Sequence, residues 1–236
     1  MKQLIIISFL FSTLFGQTNF VKGMEQYLNR AEGSSGMKAQ AGPINSAISL
    51  FESSLSENEE ESMLALLKCY YYKGKFVLTN VESKKSIFQK GKDLGESSIE
   101  KYPKSASLRY WYLANLGSWS EVYGILTAAK EGVSDIMKTQ AEEIISLDPY
   151  YWNGGGYFML GAVHFKSPYI PFILSWPDND DAVSYLTQAY ETGRSTFTQT
   201  VYLARALHKD KQKTKAIQIL TDLIQMPLSD DEPVED

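Results

Sequence analysis

Through most of the chain, apolar residues recur at helical rather than alternating spacing. The pattern is most regular after Gly154. Tyr157, Leu160, Gly161 and His164 fall at i, i+3, i+4 and i+7, the stripe of a packed helix. Ala182, Leu186 and Ala189 mark a second helix, Thr200, Leu203, Ala204 and Leu207 a third, and Ala216, Leu220 and Leu223 a fourth. These stripes predict two helix pairs. Upstream, Ser56-Glu-Asn-Glu59 has the form of a capping box, in which the hydroxyl and the third-position carboxylate satisfy each other's backbone donors. The helix that follows sets Met63, Leu66, Leu67 and Tyr70 on one face. A helix over Val81 to Tyr102 ends at Pro103, and Ser105 caps another that runs through Trp111 to Leu116. A longer one, from Ile125 to Leu147, stops at Asp148-Pro149. Strand-like alternation and hairpin dipeptides are scarce, which makes the chain all-α.

The spacing of small and large residues sharpens this. In the tetratricopeptide repeat, a helix–turn–helix unit of about 34 residues, small residues let two helices approach and a large one fills the adjacent groove. Thr200, Leu203, Ala204 and Leu207, with Ala216, Leu220, Leu223 and Pro227, resemble one such unit. Tyr157, Leu160, Gly161 and His164, with Ala182, Leu186 and Ala189, resemble another that carries an insertion. Gly91, Gly95, Ser98 and Pro103 echo the second helix of a third. Tetratricopeptide-like hairpins forming a bundle or short solenoid are expected, with an irregular helical bundle as the alternative. The insertion, Lys166 to Asn179, holds three prolines that forbid a continuous helix. It is also rich in Tyr169, Phe172, Trp176 and aliphatic residues. It either folds back on the bundle as a lid or presents a contact surface, with Tyr169, Phe172 and Trp176 as the partner-contact residues.

At the start of the chain, Lys2 precedes a twelve-residue apolar run from Leu4 to Phe15, followed by Gly16. As a helix this run reaches about 18 Å at 1.5 Å per residue, short of a bilayer core. Residues 1–16 therefore read as a secretory signal peptide, residues 17–228 as one helical domain and residues 229–236 as an acidic disordered tail. No cysteine follows the run to carry a lipid anchor, and no later apolar run is long enough to span a membrane. A soluble periplasmic protein is expected. The one cysteine, Cys69, lies in an apolar helical stretch, which excludes an intrachain disulfide and points to a buried structural thiol.

Net charge is −5, but five of the 28 acids lie in the last eight residues. Without those ends the body is close to neutral and lacks the basic footprint of a nucleic-acid binder. Motifs for catalysis are missing. His164 and His208, the two histidines, have no partners at metal-ligand spacing, and no nucleophile elbow is present. Gly161-x4-Lys166-Ser167 lacks the second glycine of a phosphate loop. No catalytic residue, metal or cofactor is expected, and the chain reads as a non-enzyme.

The density of aromatic residues is the feature that calls for a function. Tyrosine and tryptophan cluster in Tyr70-Tyr-Tyr72, Tyr110-Trp-Tyr112, Trp119 to Tyr123 and Tyr150-Tyr-Trp152. Neighbours on a helix point about 100° apart, so three consecutive rings cannot all enter one core. At least one of each triplet faces a groove, a partner or water, unless the rings are shared between a bulky core and scattered surface positions. Asn153-Gly-Gly-Gly156 precedes a helix, where absent side chains either leave backbone amides open to a ligand or allow close helix packing.

Tyr110-Trp-Tyr-Leu-Ala-Asn-Leu-Gly117, Gly124-Ile-Leu126, Leu147-Asp-Pro-Tyr150 and Gly154-Gly-Gly-Tyr-Phe-Met-Leu-Gly161, in that order, resemble the T-component family of tripartite ATP-independent periplasmic (TRAP) transporters. The resemblance spans Tyr102 to Leu223. It implies a tetratricopeptide-like protein that works with an extracytoplasmic solute-binding protein and binds or relays a small apolar organic ligand. Members are often lipoproteins, and this chain departs from them in lacking the lipidation cysteine. The aromatic reading and the resemblance meet in one groove. Its expected lining is Tyr110, Trp111, Asn115, Trp119, Tyr151, Trp152, Gly154, Gly155 and Tyr157. A scaffold for protein partners in envelope assembly is the alternative.

Overall fold

The computed structural model describes residues 18–172, 174–228 and 234–235. The apolar run read as a signal peptide lies outside them. Eleven α-helices build the described residues: α1 (Asn19–Leu28), α2 (Ala41–Ser54), α3 (Glu59–Tyr72), α4 (Val81–Lys101), α5 (Ala106–Tyr123), α6 (Ile125–Lys130), α7 (Val133–Leu147), α8 (Tyr151–Lys166), α9 (Asn179–Tyr190), α10 (Phe197–Lys209) and α11 (Lys213–Leu223). A π-helical turn, Lys73–Val77, extends α3. There is no named strand among the described residues, only the isolated bridges Ser35–Lys38 and Ile170–Leu174.

The helices pair into antiparallel hairpins, α1/α2, α3/α4, α5/α7, α8/α9 and α10/α11, with α6 inserted in the third. Each second helix also packs on the first helix of the next hairpin. The first helices, α1, α3, α5, α8 and α10, touch one another in series, whereas the second helices do not. That arrangement makes an inner and an outer layer, the solution by which repeat hairpins bury one continuous core.

Small residues set the close contacts. On α4, Ile87, Phe88, Gly91, Gly95 and Ser98 are buried. A Cβ at Gly91 would overlap the Asn115 side chain, and one at Gly95 the Tyr112 ring, so both glycines allow α5 to approach. Ala182, Leu186 and Ala189 on α9 and Thr200, Leu203, Ala204 and Leu207 on α10 are buried as their stripes predict. On α11 the buried set is Ala216, Ile219 and Leu223, and Leu220 is 38% exposed.

Three local expectations are corrected. The segment Ile125 to Leu147 is two helices, because Gly132 takes a left-handed φ of 66° that ends one and starts the next. The Ser56–Glu59 capping box does not form. Asn58 holds the N-cap position, and Glu59 is instead bound by the Lys101 ammonium (2.6 Å) and the Tyr102 hydroxyl (2.9 Å). These two donors hold the Glu59 carboxyl below its ordinary range. Ser105 occupies the N-cap of α5 without a side-chain capping bond, and its hydroxyl pairs with that of Ser107 at 3.0 Å.

Of residues 229–236, Val234 and Glu235 are described. Val234 is 2% exposed and belongs to the core, and Glu235 is paired with Arg30 at 2.7 Å. A buried guanidinium stabilises a carboxylate that can reach it, whatever the separation in sequence.

Candidate functional site

The inner helices, with α6 and the start of α7, line a concave cavity of about 510 Å³, a size that suits a small organic molecule. Its central wall is aromatic. Tyr71 of α3, Tyr110 and Trp111 of α5 and Trp152 at the start of α8 line it, with Phe158 and Met159 further along α8. The Trp111 and Trp152 rings meet edge to face at 5.3 Å, and Tyr71 and Tyr110 lie 5.7 and 5.5 Å from Trp111. The Lys68 ammonium sits 5.6 Å from Trp111 and 5.4 Å from Trp152, within cation–π range of both.

The hollow exists because one stripe of α5 is small. Tyr110, Ala114, Gly117, Ser118 and Glu121 face it, and the short side chains at 114, 117 and 118 leave space that larger ones would fill. At one edge Glu121 accepts from Lys75 at 3.3 Å and pairs with Lys166 at 3.6 Å. The Lys166 ammonium lies 5.6 Å from the Tyr202 ring, whose hydroxyl is pushed above its ordinary range by burial and, secondarily, by Glu121. Tyr27, Tyr72 and Glu235 also line the cavity. The Tyr72 hydroxyl, pushed up to about 12 mainly by burial, donates to the Arg30 carbonyl at 3.0 Å.

Trp152 reaches this wall through an unusual backbone. Trp152, Asn153 and Gly154 all have left-handed φ, of 47°, 57° and 74°. Two of them are not glycine, so the turn is strained and depends on its surroundings. Gln199 supplies the restraint. Its Nε2 donates to the carbonyls of Trp152 and Asn153, both at 3.3 Å. Its Oε1 accepts from the Thr196 amide at 2.9 Å, completing a capping box at the start of α10. The Thr192 hydroxyl adds a donor to the Asn153 carbonyl at 3.4 Å.

The expected site residues divide into two groups. Tyr110, Trp111 and Trp152 face the cavity. Tyr151 packs behind them, 5.7 Å from Tyr110, and burial pushes its hydroxyl up to about 12 while the Trp111 indole acts in the opposite direction. Tyr157 is half-buried and does not line the cavity. Asn115 is fully buried between helices, where its Nδ2 donates to the carbonyls of Leu67 (2.9 Å) and Trp111 (2.8 Å). Trp119 is 2% exposed, donates to Gln89 at 2.7 Å and stacks on Tyr123 at 4.4 Å. Successive i+4 steps drift by about 40° around a helix, which turns 115 and 119 away from the face that carries 111.

Glycines 154 to 156 serve packing. A Cβ at Gly154 would lie 3.1 Å from the Ala189 Cα, one at Gly155 would strike the Tyr110 ring and one at Gly156 the Ile144 and Ile145 side chains. The insertion does two things at once. Its Trp176 end folds back, with the indole donating to Asp135 at 2.7 Å and its ring 4.9 Å from His164. Its tip does not. Ile170 and Leu174 exchange backbone hydrogen bonds at 2.8 Å, Phe172 at the turn has φ 66°, and Tyr169 and Phe172 are 64% and 102% exposed.

Residues that the sequence reading passed over are Lys68, Tyr71, Phe158, Met159, Glu121 and Lys166. Tyr71 belonged to a flagged aromatic triplet, and Phe158 and Met159 lie between Tyr157 and Leu160 of the stripe. The lysines carry no local signal. Among the described residues no group of three His, Cys, Asp or Glu is placed to hold a metal ion, and no helix is long and apolar enough to cross a membrane.

These features define a tetratricopeptide-like helical protein with an inner cavity. No family model matches the chain, and no curated protein does. Among solved structures it is similar to a thermophilic tetratricopeptide-repeat protein of Thermus thermophilus, with a TM-score of 0.60 and 14% identity over 88% of this chain and 89% of that one. At that identity the likeness concerns the fold.

Proposed function

We propose that this chain is a non-enzymatic binding protein whose inner cavity holds a small organic ligand with an apolar body. The carrying observation is the wall of Tyr71, Tyr110, Trp111 and Trp152 around a volume of about 510 Å³. Apolar and ring burial drives affinity in such a site, and Lys68 and the tyrosine hydroxyls orient the guest. Together with the motif order between Tyr102 and Leu223, this supports a T-component-like accessory protein of a TRAP-type solute transporter. In that role the chain is exported to the periplasm and docks an extracytoplasmic solute-binding protein. Native mass spectrometry of the purified protein tests the ligand reading. A bound organic mass is expected, lost in the Trp152→Ala variant. An unliganded mass, together with no uptake of apolar probes, would overturn it.

A second reading, a scaffold for protein partners in envelope assembly, is favoured by the wholly exposed Phe172 and its neighbour Tyr169. Pull-down from periplasmic extract with wild type and Phe172→Ser separates the two. Capture of a solute-binding protein supports the transporter role, and capture of assembly proteins alone supports the scaffold.

A further inference from the structure

Arg30, just after α1, is 4% exposed, an uncommon place for a guanidinium. It is held in one orientation. Its Cζ lies 4.6 Å from the Tyr27 ring and 5.4 Å from the Tyr72 ring, and its Nη1 donates to the Tyr27 carbonyl at 3.3 Å. The anion facing it comes from 205 residues away. Nε donates to the Glu235 Oε1 at 2.7 Å, and Nη2 reaches the same oxygen at 2.7 Å. Val234, next to it, is buried to 2% exposure. The fit is incomplete, because the other carboxylate oxygen, Oε2, is buried without a hydrogen-bond partner. An apolar residue and a carboxylate, side by side, thus occupy an arginine bracket built with Tyr27 and Tyr72, two residues that also line the inner cavity.

We propose that this arginine bracket is a docking site for short acidic peptide segments in which an apolar residue precedes a glutamate, and that Val234–Glu235 fills it in cis. A tethered segment has an effective concentration in the millimolar range, so a partner's segment enters only when the chain's own has left. The bracket is a peptide site beside Tyr27 and Tyr72. It shares no residue with the wall of Tyr71, Tyr110, Trp111 and Trp152, and either can fail without the other.

The test uses a fluorescent peptide with the sequence of residues 227–236, read by anisotropy. It is titrated against the full chain, the full chain carrying V234S and E235Q, and a chain ended after Leu228. Both altered proteins are expected to bind the peptide at least ten-fold more tightly than the full chain. A peptide with glutamine at the position of Glu235 is expected to lose at least ten-fold. Equal binding to all three proteins, binding to none, or indifference to the glutamine would overturn the proposal. So would unfolding of both altered proteins on thermal melting, since the segment would then be a strut of the core rather than an occupant. If only the shortened chain unfolds, the doubly substituted one decides.

Discussion

Replacing Gln199 by leucine removes the restraint on the strained turn while leaving the cavity wall's own residues intact. The Gln199 side chain makes three hydrogen bonds, one to the Thr196 amide and two to the carbonyls of Trp152 and Asn153, and the residue is 2% exposed. A net hydrogen bond contributes about 1 kcal/mol, and the two at 3.3 Å fall at the weak end, so the direct loss is about 2 kcal/mol. Leucine also leaves the two carbonyls facing an apolar group, which raises the expected total to about 2–4 kcal/mol. For a chain of this size each kcal/mol lowers the melting temperature by about 2–4 °C, so Gln199→Leu should melt at least about 4 °C below wild type. The consequence specific to this geometry is that Trp152 leaves its edge-to-face contact with Trp111, which tryptophan fluorescence reads as a changed emission maximum. Gln199→Glu keeps the acceptor for Thr196 but loses both donors and buries a charge beside two carbonyls, and it should be at least as damaging. If Gln199→Leu melts within about 1 °C of wild type and emits identically, Gln199 is not what holds the turn.

Other substitutions read the packing directly. Gly95→Ala drives a methyl into the Tyr112 ring and should cost about 1–3 kcal/mol, measured by denaturant unfolding. Asn115→Ala removes both donors to the Leu67 and Trp111 carbonyls and should cost about 1–3 kcal/mol by the same measurement. His164 is held below its ordinary value of 6.5 mainly by burial, with Asp181 opposing, and its Nδ1 accepts from the Asp178 amide at 3.3 Å. The unfolded chain therefore binds its proton first, so stability from this site is present above pH 6.5 and falls as the pH drops below it. The difference in melting temperature between wild type and His164→Gln, followed from pH 7.5 to 5, should narrow toward acid. Burial pushes the Cys69 thiol well above its ordinary range, so a thiol reagent at pH 8 should label it only after denaturation.

The helical stripes were legible because burial of one face needs only local spacing. Leu160 and Gly161 on α8, Ala182 and Leu186 on α9, and Leu203 and Ala204 on α10 all stand where periodicity puts them. Caps and breaks were less legible. Glu59 had a stronger competitor in Lys101, 42 residues away, and Gly132 could have been a tolerated helix glycine until its φ proved left-handed. Within the site, Tyr110, Trp111 and Trp152 were legible as aromatic density, but which ring of a cluster faces the hollow depends on helix rotation, and this separates Trp111 from Trp119. The small stripe Ala114–Gly117–Ser118 that makes the hollow was present in the sequence but has no meaning until α5 is seen to face α3 and α8. The Arg30–Glu235 pair joins residues 205 apart in sequence, and no local pattern announces it.

The central claim is that the inner cavity admits an apolar guest against Trp152. The most direct measurement is fluorescence titration with N-phenyl-1-naphthylamine, a neutral apolar probe, of wild type, Ala114→Trp, Trp152→Ala and Trp119→Phe. One probe per chain is expected for wild type and Trp119→Phe, no binding for Ala114→Trp, where the indole fills the hollow, and at least ten-fold weaker binding for Trp152→Ala. Equal binding by all four proteins, or none by wild type, would contradict the claim.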